Sequence, residues 1–467
     1  MRPNLFFVLV LMGFSSLFAK TYFVAQNGVN TNPGTQGKPW GKVQFAIDQM
    51  VAGDTVLIRE GTYTESLRMM VTSGDSGAPI VVQNYPGERV TIQSQTASGG
   101  DPAIKITVNY VEVRGMTLHK LTRSAGPVNV YAGHHVLLDS LEVIGPGAWD
   151  DITISNEYGE TAYVTVKNCK VHTALHEGIY IKSENANPLH HIFILNNEIY
   201  NCPDEAVQVS ASPYPDNPPT DVVIKGNNIH DVGAWAIIHL YYAPKNVLID
   251  GNFIHNNSTC WVGVNLDGAE AVLRNNLFTN NSGSQASEDY SDVCVSSEHG
   301  NPKYKIINNT FALTTRGNAR AAYGVWIGED ACSESDTISN NIFYDIQDGG
   351  ICYHSSPLNQ GSNNIFSQKN NSVPAVVLPN GDTIMMEDIQ NWKENNRFVD
   401  PLFVDPENQN FQLKPESPAI HKALFLDVKT DFTGYNRMQD EWMDVGAFEF
   451  QSDVVLTPPK KVRLINN

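Results

Sequence analysis

The sequence predicts an all-β chain wound as a right-handed parallel β-helix, a solenoid with an N-terminal capping helix and an irregular C-terminal cap. Three observations carry this: an asparagine phrase that recurs about once per coil, short β-branched strands flanking each phrase, and end segments that leave the repeat.

The phrase reads Asn196-Asn197-Glu198-Ile199, Gly226-Asn227-Asn228-Ile229, Gly251-Asn252-Phe253-Ile254, Asn275-Asn276-Leu277-Phe278, Asn308-Asn309-Thr310-Phe311, Asn340-Asn341-Ile342-Phe343 and Asn363-Asn364-Ile365-Phe366. Its final apolar residue steps by 30, 25, 24, 33, 32 and 23 positions, and Asn168-Cys169-Lys170-Val171 precedes Ile199 by 28. Strand-like runs such as His191-Ile192-Phe193-Ile194 and Val247-Leu248-Ile249 lead into the phrases, and Ile179-Tyr180-Ile181 and Val207-Gln208-Val209 follow them. The chain is thus expected to turn at asparagine, which tolerates the left-handed conformation and whose amide can bond the same amide one coil away. Asn197, Asn227, Asn252, Asn276, Asn309, Asn341 and Asn364 form that ladder, with Cys169 as the exception, and have no catalytic role. Uneven steps place growing loops on one side; the long insertions span 184–189, 211–220 and 282–298.

The ends divide the chain further. Arg2, the apolar run from Leu5 to Gly13 and Ser16-Leu17-Phe18-Ala19 read as a signal peptide over 1–19, so the mature chain is expected outside the cell or in a periplasm, and no later run is long enough to span a membrane. Residues 20–52 hold a strand and a capping helix from Trp40 to Val51, with Val43, Ala46, Ile47, Met50 and Val51 on one face. The β-helix occupies 53–375, a C-terminal cap 376–450 is expected on the far end, and 451–467 reads as a flexible tail.

The N-terminal phrase Tyr22-Phe23-Val24-Ala25-Gln26-Asn27-Gly28, with Asn32-Pro33-Gly34-Thr35, Gly53-Asp54-Thr55-Val56 and Gly61-Thr62-Tyr63, resembles that of secreted β-helix proteins of the pectate-lyase-like superfamily. So do Asp400-Pro401-Leu402-Phe403, Ser417-Pro418-Ala419-Ile420 and Asp444-Val445-Gly446-Ala447-Phe448 at the other end. The resemblance implies this architecture; its members include lyases, hydrolases and epimerases, so it does not choose a reaction.

A formal net charge of −19 opposes nucleic-acid binding and makes a polyanionic substrate awkward without a cation or a local basic patch. The expected partner is an extracellular polysaccharide, bound by a monomer. Cys169, Cys202, Cys260, Cys294, Cys332 and Cys352 are too dispersed for a metal motif and are expected as buried thiols.

Aligning coils on the strand after each turn brings Asp150-Asp151, His176-Glu177 and Asp204-Glu205 into approximate register, with Trp235 and Cys260 in the next two coils. Carboxylates stacked about 5 Å apart repel by roughly 3 kcal/mol at an effective dielectric near 20. Three resolutions follow: a bound Ca²⁺ on Asp150, Asp151, Glu177, Asp204 and Glu205; an acid and base pair with separated pKa values; or a solvated acidic stripe. Lys182, on the strand Glu177 introduces, is the candidate base for β-elimination on uronic acids, with Glu177 and Glu205 as the other candidate catalytic groups. A catalytic lysine beside acidic calcium ligands is also what resemblance to β-helix pectate lyases implies, although the paired aspartates flanking a glycine are present only as Asp150-Asp151. Trp149, Tyr180, Gln208, Trp235 and His239 are candidate substrate contacts, and Trp261 a further stacking platform. His172, His230 and His255, with Tyr200 between, read as a packing column. The leading expectation is a lyase of acidic, pectate-like polysaccharide acting by calcium-assisted β-elimination. A glycoside hydrolase with paired carboxylates and a non-catalytic polysaccharide-binding protein are the alternatives.

Overall fold

The computed structural model describes residues 19–94, 101–121, 126–146, 149–233, 235–258, 260–356, 361–370, 372–437 and 442–451. All but the last residue of the signal-peptide expectation, and all but the first of the tail, lie outside them.

Each coil contributes a strand to each of three sheets, as in Leu189–Leu195, Glu198–Tyr200 and Val207–Ser210. Among the described residues the first sheet has 12 strands, beginning at Thr21–Val24; the second has 13, beginning at Gly61–Tyr63; the third has 13, beginning at Leu67–Met69. From coil to coil the strands pair in parallel, so Ile179 lies beside Ile152 and Val207, and within these three sheets only the last pair of the third, Pro374–Val377 with Thr383–Met385, is antiparallel among the described residues. Alternation sends Ile192, Ile194, Ile199, Val207 and Val209 into a continuous core, all fully buried. Phe278, Phe311, Phe343 and Phe366 stack through that core at centroid spacings of 5.0 to 5.1 Å. The six cysteines are free thiols, four of them buried.

The asparagine turn divides its labour between two residues. The first residue of the phrase takes the left-handed conformation, as at Asn196 (φ 55°) and Asn340 (φ 60°), with Gly226 (φ 67°) and Gly251 (φ 65°) where asparagine is absent. The second builds the buried ladder. Asn227 Nδ2 donates to Asn252 Oδ1 at 2.9 Å and to the Ile194 carbonyl at 2.9 Å, and its backbone N–H donates to the same Oδ1 at 3.0 Å. The ladder runs one coil beyond the sequence reading, to Asn396, and Cys169 receives it at the other end.

The N-terminal lid is the helix Val43–Gln49, shorter than expected, which buries Val43, Ala46 and Ile47 on the first coil. Lys42 offers no cap, so the Glu65 carboxylate accepts from the Val43 and Gln44 N–H groups at 3.1 and 3.0 Å.

The C-terminal segment corrects the expectation. The solenoid continues to Arg397–Phe398, and Met386 and Ile389 of a short 3₁₀ turn close its core. Residues 399–437 and 442–450 then double back along the outer face of the second sheet instead of covering the end. Phe403, Phe411, Leu413, Ala419, Val445, Ala447 and Phe448 pack there on Leu277, Ala312, Ile342 and Ile365. The strap is pinned by the outer asparagines: Asn340 donates to the Leu424 carbonyl at 2.9 Å, and Asn275 accepts from the buried Arg437 guanidinium at 2.8 Å.

Candidate active site on the third sheet

The register resolves the acidic row into three columns. Ile152, Ile179 and Val207 are neighbours, so Asp150, Glu177 and Glu205 share one column, Trp149, His176 and Asp204 the next, and Asp151 falls beside Gly178 and Ala206. Counting back from Ile238 beside Val207, Trp235 continues the Trp149 column and Ala236 ends the acidic one. A one-residue offset thus decides which carboxylates meet.

Asp150 accepts from Thr153 Oγ1 at 3.2 Å. Burial first, then the hydrogen bond and charge of Asp150 and the charge of Glu205, hold Glu177 well above the ordinary carboxylate range. This favours the protonated form of Glu177. Glu205 is almost fully buried, its Oε1 3.2 Å from His239 Nδ1, and the Gln208 amide lies 3.4 Å from the same nitrogen.

Asp204 is turned away, paired with His176 Nδ1 at 2.6 Å, and the His176 ring stacks on Trp149 at 4.4 Å. Asp151 is fully buried with no hydrogen-bond partner for either carboxyl oxygen among the described residues, and burial followed by the Asp150 charge raises its pKa strongly. The five expected calcium ligands are therefore split three ways, and among the described residues no three His, Cys, Asp or Glu side chains gather as a metal cradle. The set does not fit the ion as expected, and no step below is routed through calcium.

Lys182 lies one coil from Ser210 and one from Ser155. Its ammonium is ion-paired with Glu184 and sits 5.2 Å over the Tyr180 ring. Tyr180, raised by burial above all and hydrogen-bonded to Ser210, stands among Glu177, Asp150 and Glu184. Beside these columns opens a cleft of about 730 Å³, lined by Cys202, Asp204, Asp231, Trp235, Trp261 and Gln285 among others, with the two tryptophan rings 4.2 Å apart. The expected contacts Trp149, Tyr180, Gln208, Trp235 and His239 thus lie on one face or its rim. The His172–Tyr200–His230–His255 column is a ring stack at 4.7 to 5.2 Å on the second sheet, away from this site.

Sequence reasoning missed two groups. Lys105 donates to Tyr158 at 2.8 Å and lies over the Tyr131 ring; carrying the register three coils back from Tyr180 reaches Lys105 through Thr153 and Asn129. The other is His299, whose Nδ1 bonds the buried Asp267; it sits in an irregular insertion with no repeat signal.

The family described as a right-handed β-helix region matches residues 150–398. The chain belongs to the right-handed β-helix proteins. A Pel9A-like right-handed β-helix region matches residues 22–212 of this β-helix protein, a span that contains Asp150, Glu177, Lys182 and Glu205. It is 30% identical over 128 residues to pectate lyase PEL9 of Emericella nidulans, 26% of this chain and 31% of that one. It is also 36% identical over 107 residues to the uncharacterized protein YwoF of Bacillus subtilis, 22% of this chain and 23% of that one. The matched segments therefore span under a third of those curated relatives. Among solved structures, pectate lyase Pel9A superposes over 92% of this chain and 96% of its own, with a TM-score of 0.58 and 17% identity. XylC in complex with xylose does so over 92% and 99%, with a TM-score of 0.53 and 11% identity. At these identities the likeness is one of fold. No helix among the described residues is long and apolar enough to cross a membrane.

Proposed function

We propose that this β-helix protein is a secreted carbohydrate-active enzyme that cleaves an extracellular polysaccharide on the third-sheet face, with bond breaking at the Asp150–Glu177–Glu205 column. The observation that carries the reading is the register that stacks Asp150, Glu177 and Glu205 on three adjacent coils, with Glu177 held above the ordinary carboxylate range by burial and by Asp150, beside a cleft flanked by tryptophan and histidine rings.

The first reading is β-elimination on an acidic, pectate-like chain, favoured by the Pel9A-like match over the segment that holds the column. In it the neutral Glu177 donates a hydrogen bond to the uronate carboxyl group and so stabilises the developing enolate. Lys182, once its ammonium has passed a proton to the paired Glu184 carboxylate, takes the adjacent proton as a neutral amine. The C–O bond at the next carbon then breaks as the C=C bond forms, the departing sugar oxygen takes up a proton from solvent, and an unsaturated sugar end is left.

The paired carboxylates specifically favour a second reading, glycosidic hydrolysis. Neighbouring coils lie about 4.8 Å apart, near the roughly 5 Å carboxyl separation of a retaining mechanism, in which Glu177 would be the acid and Asp150 the nucleophile.

One assay separates these readings. Plant and algal polysaccharides, with and without added calcium or chelator, are followed for ultraviolet-absorbing unsaturated ends and for new reducing ends. Unsaturated product abolished by Lys182→Ala supports elimination; reducing ends without unsaturation, abolished by Glu177→Gln, support hydrolysis. Neither product on any polymer overturns the proposal.

A further inference from the structure

Four coils beyond Val207–Ser210, roughly 19 Å at an interstrand spacing near 4.8 Å, the same sheet face carries a second concavity of about 370 Å³. It is lined by Ser296, Ser297, Glu298, Trp326, Gly328, Glu329 and His354. We propose that it is a distal glycan-binding subsite that takes a neutral pyranose residue of the polymer whose cleavage is assigned to the carboxylate column, an assignment on which the proposal rests.

The floor is aromatic. Trp326 is half-buried on the strand Ala322–Ile327, and the exposed His354 ring lies against it at 4.8 Å. An indole face with an imidazole beside it matches the apolar C–H face of a pyranose, while the Ser296 and Ser297 hydroxyls and the Glu298 and Glu329 carboxylates on the rim match its hydroxyl groups. Gly328 opens the pit. It follows the strand two positions after Trp326, where preceding coils carry Tyr241, Asp267 and Ser296, and a Cβ there would sit 3.0 Å from the Trp326 ring and 3.1 Å from the Val295 carbonyl.

The walls are held before any ligand arrives. Asp267, buried one coil below Ser296, binds both the Nδ1 and, at 3.0 Å, the backbone N–H of His299, which fixes the loop carrying Ser297 and Glu298. Ser297 Oγ donates to the Glu329 carbonyl at 2.7 Å, and Ser355 Oγ donates to the Gly328 carbonyl at 2.6 Å. Such preorganisation lowers the ordering cost of binding.

Charge selects the sugar. The lining contains two glutamates and neither lysine nor arginine, so a uronate carboxylate is repelled while a neutral residue is not. If the carboxylate column handles a uronate, the substrate is a heteropolymer with a neutral residue some four coils away.

The test measures binding apart from cleavage. Tryptophan fluorescence and calorimetry follow xylohexaose, galactohexaose, xylobiose and hexagalacturonate on the intact chain, its Trp326→Ala and His354→Ala variants, and Glu329→Lys. At least one neutral hexasaccharide is expected to bind tenfold or more tighter than xylobiose. Both aromatic variants should lose that advantage, with circular dichroism and product formation on xylobiose-sized substrates unchanged, and Glu329→Lys should gain affinity for hexagalacturonate. Neutral hexasaccharide affinity unchanged in both His354→Ala and Trp326→Ala overturns the subsite, and preferred binding of hexagalacturonate by the unmodified chain overturns its neutral specificity. If no polymer is cleaved yet the two aromatic variants still lose binding, the cleavage assignment falls and the subsite stands.

Discussion

One outward column of the second sheet passes through both halves of the solenoid: Glu142, Lys170, Glu198 and Asn228 in the first, then Phe253, Leu277, Thr310, Ile342 and Ile365 in the second. In the first half Glu142, Lys170 and Glu198 are part-exposed and laced by pairs such as Lys170–Glu198 at 3.7 Å, before the column turns inward at the buried Asn228. In the second it lies beneath the strap of residues 399–450, and the outer asparagines Asn275, Asn308, Asn340 and Asn363, counterparts of the exposed Asn196, are buried with it. The inner ladder is the same in both halves. A β-helix thus separates two functions within one dipeptide: the second asparagine holds coil to coil, and the first meets whatever lies outside, water or strap.

The comparison is most severely tested at Arg437. It is fully buried, paired with Glu449 at 2.6 Å and bonded to Asn275 and the Gly446 carbonyl. Arg437→Ala should lower stability by about 3 to 5 kcal/mol, since it strands a buried partner charge. It should also open the 399–450 strap to limited proteolysis before the coils; simultaneous digestion of strap and coils would show that the two are not separable.

The ladder should respond alike on both sides. Asn276→Leu and Asn227→Leu each strip the acceptor from the N–H groups of Asn252 and Asn197 respectively and leave the Ile249 or Ile194 carbonyl without its donor, a loss of about 3 kcal/mol in either half by chemical denaturation. A cost confined to one half would break the claim of a common scaffold. The outer column should split instead. Leu277→Ala, buried under the strap, is expected to lose about 2 kcal/mol or more, while Glu198→Ala stays within about 0.5 kcal/mol.

A finer effect concerns pH. Asp292 is fully buried in the second half, and burial, partly offset by bonds from Thr314, Asn281 and Tyr290, lifts its pKa to about 7. A folded pKa above the unfolded value means that the folded chain holds the proton more tightly. Its contribution is therefore full below the ordinary aspartate range, near 3.8, and is lost as pH rises through about 7. Thermal melts should show Asp292→Asn with a shallower decline over that window; an unaltered slope would remove Asp292 as its source.

Much of this was readable from residue order. The ladder positions from Asn197 to Asn364, the strands around them and the N-terminal lid follow from local pattern. Even the strap left a trace, in the change from Glu198 to Leu277 at the same place in the phrase. The acidic row was legible only as a neighbourhood: the register stacks Asp150, Glu177 and Glu205, whereas the sequence reading grouped Asp151 and Asp204 with them.

The sequence by itself determined the coil, its asparagine turn and the face on which carboxylates collect, because short-range preferences repeated at each coil add up to a pattern. Only the tertiary structure decided which carboxylates touch, and that residues 399–450 fold back along the flank. Side chains alternate sides at every residue, so a one-position offset between coils separates Asp151 from Glu177. The strap's contacts join positions such as Asn275 and Arg437, 162 residues apart, that no local pattern links.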